Sequence, residues 1–401
     1  MSNANKIAFL LGSGISIHAG MPTTSNITAR ILSGEAVTYH SDGTYYLDDL
    51  SIDLASNDNV WRIVLLLKRI QIEIDSYYWY DHHHTTNYEE IYYVCSQIHD
   101  SIFGEYDNPI VESFIDKLTP YANQLTKPRP NSIVEWNFER LISEALNYIR
   151  DVVWRLLLKE PGNLGYLNCI TDACLDPQIQ KVDLYTLNHD TILESALFQR
   201  RIDSNIGFGN FVNDVRYWDS LLHEKDESKV CLLKLHGSIN WFRFQPNQFT
   251  HAPIATGIPK SWDIWDTYNP TGERQYPEGG RPEFLAGTFN KMLSYTNGIY
   301  ADLFCLFRRN LRNIDTLIVC GYSFGDKGIN SQVVDWMYLS EKKQMIIVHK
   351  EPDRLLEQSR GVIRNNWEEW SRQNRVPIVR KWVEDCTWNE IKANITFIQN
   401  D

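Results

Sequence analysis

Short apolar runs rich in aliphatic and β-branched residues recur at 7–11, 182–187, 230–235, 316–320 and 345–348. Most do not alternate between apolar and polar positions, which is the pattern of a strand buried on both faces. Helical periodicities lie between them, at 191–200, 291–310 and 332–341. Strands that alternate with helices predict an open, mostly parallel sheet wound on both sides. Such sheets bind ligands in the crevice outside the carboxyl ends of their strands. Each run here ends in small or polar residues: Gly12-Ser13-Gly14, Asn188-His189-Asp190, His236-Gly237-Ser238, Gly321-Tyr322-Ser323 and His349-Lys350. One such ending is an ordinary turn; the whole set points to a common crevice.

The stretch from about 40 to 175 is almost entirely helical in pattern and interrupts the strand series after its first β-α unit. Within it, 132–159 carries Phe138, Leu141, Ile142, Ala145, Ile149, Val152, Val153 and Leu156 at helical spacing behind a cap at Asn131 or Ser132. Asn87 with Glu90 three residues on predicts a capping box that opens a helix through Ile98. The segments 205–228 and 243–282 are rich in Pro, Gly, Asn, Asp and Trp and read as loops. After Lys350 the pattern predicts one long polar helix, from Asp353 to about Arg375, and a strand-like tail at 395–398. The fold class expected is therefore α/β, a Rossmann-like, doubly wound, mostly parallel sheet with a large helical insertion. The core takes 1–40 and 176–350, the insertion 41–175, and a C-terminal helical extension 351–401. The chain shows no internal repeat and no low-complexity segment.

Composition narrows the function class. Of 401 residues, 43 % are hydrophobic and 22 % charged, enough apolar material for a full core and too much for disorder. The net charge of −12 disfavours phosphate-driven nucleic-acid binding as the main task. No run approaches the ~20 apolar residues of a membrane span. The apolar run behind Met1 is shorter than a signal h-region and stops at Gly12. The seven cysteines are scattered inside apolar segments, which fits reduced thiols and a cytoplasmic location.

Gly12-Ser13-Gly14-Ile15-Ser16, then Gly20-Met21-Pro22-Thr23, carries the first chemistry. A glycine pair directly after a strand lets the backbone approach a pyrophosphate, and a following helix N-terminus offers free N–H groups. The third glycine of the dinucleotide fingerprint is replaced by Ile17, which argues against an ordinary dehydrogenase. With Thr186-Leu187-Asn188-His189-Asp190 and Leu235-His236-Gly237-Ser238, this segment resembles the sirtuin family, whose pattern runs GAGxSxxxGxP, TxNxD, HG. The ending Gly321-Tyr322-Ser323-Phe324-Gly325-Asp326, with Asn330 beyond, is similar to the sirtuin-like proteins of bacterial anti-phage defence. The resemblance spans about 5–30 and 180–350. It implies NAD as substrate, held by Gly12, Ser13, Gly14, Ser16, Thr23, Gly321, Tyr322, Ser323 and Asp326. It also implies Asn188 to orient a water or the ribose, His236 as the base at the ribose hydroxyls, and Asp190 to favour the cationic sugar or hold the loop.

Two departures shape the expected activity. No Cys-x-x-Cys pair exists for the zinc ribbon of the deacylases, so no zinc and no metal ligand set is expected. Thr23-Thr24 also stands where deacylases have Asp-Phe-Arg. The expected activity is an NAD hydrolase acting as a defence effector by NAD depletion. The alternatives are NAD-dependent deacylation, ADP-ribosyl transfer, and a non-catalytic NAD or ADP-ribose sensor. Because unchecked NAD cleavage would kill its host, a homo-oligomer gated by a partner is expected; the resemblance suggests a hexameric DNA-translocating ATPase of the HerA type. Tyr77-Tyr78-Trp79-Tyr80 is a candidate contact. Asp81-His82-His83-His84 is a weak metal candidate, because adjacent histidines cannot all face one ion. Lys350-Glu351 sits where the adenosine end of a nucleotide would lie.

Overall fold

The computed structural model describes residues 5–47, 57–80, 84–105, 109–129, 135–225, 228–245 and 255–396. From the N-terminus, β1 (Lys6–Leu11) leads through a 3-10 turn (Ser13–Ser16) to α1 (Thr24–Ser33). A hairpin of β2 (Val37–Tyr39) and β3 (Tyr45–Leu47) follows, then α2 (Asp58–Tyr77), α3 (Tyr88–Ile102), α4 (Pro109–Leu125), α5 (Phe138–Leu157) and α6 (Asn168–Leu175). The sheet resumes with β4 (Lys181–Thr186), α7 (Ile192–Gln199), β5 (Val215–Tyr217), α8 (Leu222–Lys225) and β6 (Val230–Lys234). Short strands β7 (Phe242–Gln245), β8 (Ala255–Pro259), β9 (Thr267–Tyr268) and β10 (Arg274–Pro277) come next. The remainder is α9 (Asn290–Ser294), α10 (Gly298–Arg312), β11 (Thr316–Cys320), α11 (Lys327–Tyr338), β12 (Gln344–Val348), α12 (Pro352–Gln358), α13 (Gly361–Arg372), β13 (Ile378–Val379) and α14 (Trp388–Lys392).

Two compact units divide the chain: Met1–Met21, Glu160–Leu285 and Met292–Asp401 form one, Pro22–Lys159 and Ala286–Lys291 the other. The first is built on a parallel sheet ordered β13-β12-β11-β1-β4-β6. Every residue of β6, β11 and β12 is buried, as the unbroken apolar runs predict. Helix α10 turns Ile299, Tyr300, Leu303, Leu306, Phe307 and Leu311 inward, and Phe307 meets Tyr185 edge-on at 4.8 Å. One carboxylate interrupts this core. Asp183, in the middle of β4 and 3 % exposed, accepts a hydrogen bond from the Tyr185 hydroxyl at 3.1 Å, and its other oxygen is buried without a partner. Burial pushes its pKa up to about 6, against the pull of Lys181 and the Tyr185 hydroxyl.

In the other unit α5 carries the buried stripe Leu141, Ile142, Ala145, Ile149, Val152 and Val153. This unit begins at Pro22 rather than at 41, because α1 is bound into it: the Tyr148 hydroxyl donates to the Ile31 carbonyl at 2.9 Å and Tyr88 N–H to Thr28 Oγ1 at 3.0 Å. Residues 160–175, read as insertion, lie in the sheet unit with α6. The Asn87–Glu90 capping box is present at the start of α3. Helix α5 opens later than expected, its cap being Asn137, which accepts from Arg140 N–H at 2.7 Å; Asn131 and Ser132 lie outside the described residues.

Four further readings are corrected. The segments taken for loops at 205–228 and 243–282 contain an antiparallel sheet ordered β5-β8-β7-β10-β9. Its strands are two to five residues long, too short for alternation to show, although Phe242 and Phe244 are buried around an exposed Arg243. The helix expected at 291–310 is broken between α9 and α10, where Gly298 takes φ +52°. The long polar helix is split at Ser359, whose following residue Arg360 donates from its backbone to Phe324 O and from Nε to Gly325 O at 3.0 Å. The sixth strand of the main sheet is β13 rather than the tail; Ile395 and Thr396 are not in a strand and 397–401 lie outside the described residues. Among the described residues no helix is long and apolar enough to cross a membrane.

Candidate functional site

After β1 the chain builds outward through β4 to β6, then returns to the other side of β1 with β11. The switch in strand order therefore falls between β1 and β11, where a crevice opens above the strand ends. Here the two glycine loops touch: Gly12 N–H donates to Cys320 O at 3.1 Å and Gly14 N–H to Gly321 O at 3.0 Å. A Cβ on Gly12 would lie 2.5 Å from Gly321 O, and one on Gly321, at φ +64°, 2.6 Å from Ile15 N. Only glycine fits this junction. The helix expected directly after the glycine pair is instead a four-residue 3-10 turn, Ser13–Ser16, so no α-helix N-terminus faces the crevice from this loop. The next α-helix, α1, belongs to the other unit, where Thr23 is its cap and is bonded to Asn26.

Next to this junction sits the loop after β4. Asn188, 7 % exposed, donates through Nδ2 to Ser16 Oγ at 2.9 Å and to Gly12 O at 3.2 Å. Its carboxamide oxygen is buried with no partner. Asn188 therefore caps no helix; it reaches back to the first loop. Asp190 does have a local role, its Oδ1 accepting from Ile192 N–H at 3.0 Å at the start of α7. Burial pushes the Asp190 carboxyl above its ordinary value, opposed by Lys234, the Ser16 hydroxyl and the Ile192 N–H. Lys234, at the end of β6 and 3 % exposed, donates to the Asp190 carbonyl and to Glu194 Oε1, the latter at 2.8 Å. This buried lysine was missed in the sequence. Its signal was a charge closing an otherwise apolar strand, directly before Leu235-His236.

The loops carrying Asn188 and His236 are tied together: Ile239 N–H donates to His189 O at 2.9 Å and Ser238 Oγ to the same carbonyl at 3.2 Å. Gly237 takes φ +78°, a conformation that suits glycine, and a Cβ there would lie 2.4 Å from Glu283 O. His236 is buried, its Nε2 lying 2.7 Å from the Tyr295 hydroxyl and 3.2 Å from Asp326 Oδ2. The Tyr295 hydroxyl lies 3.1 Å from that same Asp326 oxygen. Asp326 also caps α11 through Oδ1, which accepts from Ile329 N–H at 2.9 Å. Asp326, expected to hold the nucleotide, faces His236. Tyr295 was not legible, since it lies in the break between two helices that the pattern joins.

Along β11 the loop continues with Tyr322, whose hydroxyl is directed inward, bonding Asn330 Oδ1 at 2.8 Å and the Asp326 backbone. Its neighbour Ser323 is exposed. Gly14, Gly321, Tyr322 and Ser323 line a cavity of about 390 Å³ together with Val348, His349, Leu355, Trp382 and Glu384. Burial pushes the His349 imidazole below its ordinary value of 6.5, and its ring meets Trp382 edge-on at 4.7 Å. The sheet unit thus assembles Gly12, Ser13, Gly14, Ser16, Asn188, Asp190, His236, Gly321, Tyr322, Ser323 and Asp326 at one end of its strands. Among the described residues no group of three or more His, Cys, Asp or Glu could hold a metal ion. His82 and His83 lie outside them, and His84 is bonded to Glu90 at 3.0 Å.

Residues 182–373 match the family model described as a SIR2-like domain. No curated protein matches the chain. Similar solved structures include a mutant Sir2 homologue in complex with ADP-ribose, 10 % identical, covering 97 % of this chain and 91 % of that one with a TM-score of 0.40. A Sir2 homologue complexed with NAD is 10 % identical, with 97 % and 89 % covered and a TM-score of 0.38.

Proposed function

We propose that this chain is an NAD hydrolase that breaks the nicotinamide–ribose bond and gives nicotinamide and ADP-ribose. Asn188 carries the reading: a buried carboxamide whose nitrogen is pinned to Gly12 and Ser16 while its oxygen has no partner. A buried acceptor left unpaired costs about 1–3 kcal/mol, so an orphan oxygen beside the glycine loop supports a ligand position there. A water or a ribose hydroxyl supplies the missing donor. In the reaction the C1′–N bond breaks, its electron pair leaves with neutral nicotinamide, and the sugar carries positive charge until water adds. Asn188 directs that water or the ribose. His236 takes the proton released and passes it to solvent. Asp190 holds the loop through Ile192 and Ser16, and its carboxylate favours the cationic sugar. The SIR2-like match covers Asn188, Asp190 and His236, which supports this assignment.

Under the same proposal, NAD depletion serves anti-phage defence in the cytoplasm, and the chain self-assembles under the control of a HerA-type ATPase. Exposed Tyr77, Trp79 and Tyr80, at 62–77 %, support a contact surface there. Incubating the purified chain with NAD, alone and with neighbouring gene products, tests the reading. Nicotinamide release is the expected result; intact NAD under every condition refutes it.

A further inference from the structure

His236 does not meet its surroundings as a lone imidazole. Its Nε2 lies 2.7 Å from the Tyr295 hydroxyl and 3.2 Å from Asp326 Oδ2, and Tyr295 Oη lies 3.1 Å from the same carboxylate oxygen. With the Tyr295 O–H on Asp326, a His236 Nε2–H directed to the Tyr295 oxygen and shared with Asp326 Oδ2 gives each close contact a proton. Each partner is fixed by independent packing. The Tyr295 ring stacks on Phe304 with centroids 4.6 Å apart and an interplanar angle of 15°. On α11, Gly328 leaves room for it: a Cβ there would come within 2.8 Å of Tyr295 Cε2. Asp326 is held by its cap bond to Ile329 N–H, and its backbone by the Tyr322 hydroxyl. The side chains of His236 and Asp326 are 5 % and 9 % exposed, so their attraction is little screened.

From this geometry we infer that Tyr295 and Asp326 are positioning residues that orient His236 and stabilise its imidazolium while it carries a proton. The inference rests on the hydrolase reading for its role in turnover, but not for its physical content. When His236, its Nε2 already carrying a proton, accepts a second at Nδ1 from the water or ribose hydroxyl, positive charge appears beside the Asp326 carboxylate. Tyr295 and Asp326 keep their own protonation states, and the proton leaves through His236 to solvent. This is the base-plus-orienting-group logic of activated nucleophiles, with a phenol between base and carboxylate.

Histidine-labelled protein, with the His236 resonance identified by its loss in His236→Gln, is titrated by NMR, and nicotinamide release is followed over the same pH range. Asp326→Asn keeps an acceptor for the helix cap but removes the charge. Tyr295→Phe keeps the ring stack but removes the hydroxyl. Charged or titratable groups packed nearby include His189, Asp190, Lys234, Tyr300, Tyr322, Lys327 and Arg360. These are unchanged in both variants, so the comparison with the parent reports the loss of the Asp326 charge or the Tyr295 hydroxyl. In Asp326→Asn the His236 midpoint is expected to move to lower pH by roughly one unit, with the acid limb of the rate profile following it. Tyr295→Phe is expected to lower the plateau rate ~10-fold or more. A His236 midpoint in Asp326→Asn equal to the parent's overturns the inference, as does a parent His236 that does not titrate between about pH 5 and 9. If the midpoint moves while no variant or parent cleaves NAD, the relay stands and the hydrolase reading falls.

Discussion

Asp183 should make the protein less stable as the pH rises, and Asp183→Asn should remove that dependence. The carboxyl is 3 % exposed in β4, between Ala8 of β1 and Cys231 of β6, with one oxygen unpaired. Burial raises its pKa from the ordinary 3.8 to about 6. A folded value above the unfolded one means the native state binds the proton more tightly. The stability this contributes is fully present below pH ~4 and is lost as the pH climbs through ~6. At 1.36 kcal/mol per tenfold change in affinity, the loss is on the order of 3 kcal/mol by pH 8. Asparagine has nearly the same shape, still accepts from the Tyr185 hydroxyl, and carries no charge to desolvate. Urea unfolding of parent and variant at matched pH, followed through the sheet unit's tryptophans, reads the difference directly. The two should be nearly equal near pH 4, and the variant more stable by ~3 kcal/mol at pH 8. A stability difference that does not change with pH would refute the argument, since it would mean that Asp183 keeps the same proton affinity in both states.

Asn188→Ala and His236→Ala should each lower nicotinamide release by ~10²–10⁴-fold with an unchanged far-UV spectrum; parental rates in both folded variants would remove them from the site. Gly321→Ala combines φ +64° with a Cβ 2.6 Å from Ile15 N, whereas Gly272→Ala, at φ +84° with nothing within 4 Å, bears the backbone strain alone. Thermal denaturation should therefore place Gly321→Ala about 1–3 kcal/mol below Gly272→Ala, the extra cost of overpacking. Activity should survive strong chelators, with well under one zinc per purified chain by elemental analysis. Light scattering on the isolated chain should give an assembly larger than a monomer at micromolar concentration, and Trp79→Ala should weaken it.

What the sequence made legible was whatever depended on local pattern. The doubly buried strands announce themselves as apolar runs, and β11 ends where the run ends, at Cys320. Asn87 and Glu90 form their capping box because both partners lie within one helical turn. Features set by distant partners were invisible. Strand β13 is two residues long and exists only because Ile347 and Val348 lie beside it. Helix α12 stops at Gln358 because Arg360 is engaged by the loop of Phe324 and Gly325. The candidate site divides the same way. Asn188 and His236 stand in motifs at strand ends, whereas Tyr295 reaches His236 from a position no periodicity marks.

The pairing of β1 bears on how the protein comes to exist at all. Ile7 pairs with Val182 on one side and with Thr316 on the other. Strand β1 precedes both neighbours in chain order, and β11 follows only after β2 to β10 and α1 to α10. The glycine junction, which needs both Gly12 and Gly321, forms later still. Helices α1 to α5, whose contacts are nearer in sequence, are free to collapse long before then. Nascent copies therefore carry an unpaired apolar strand but no assembled crevice.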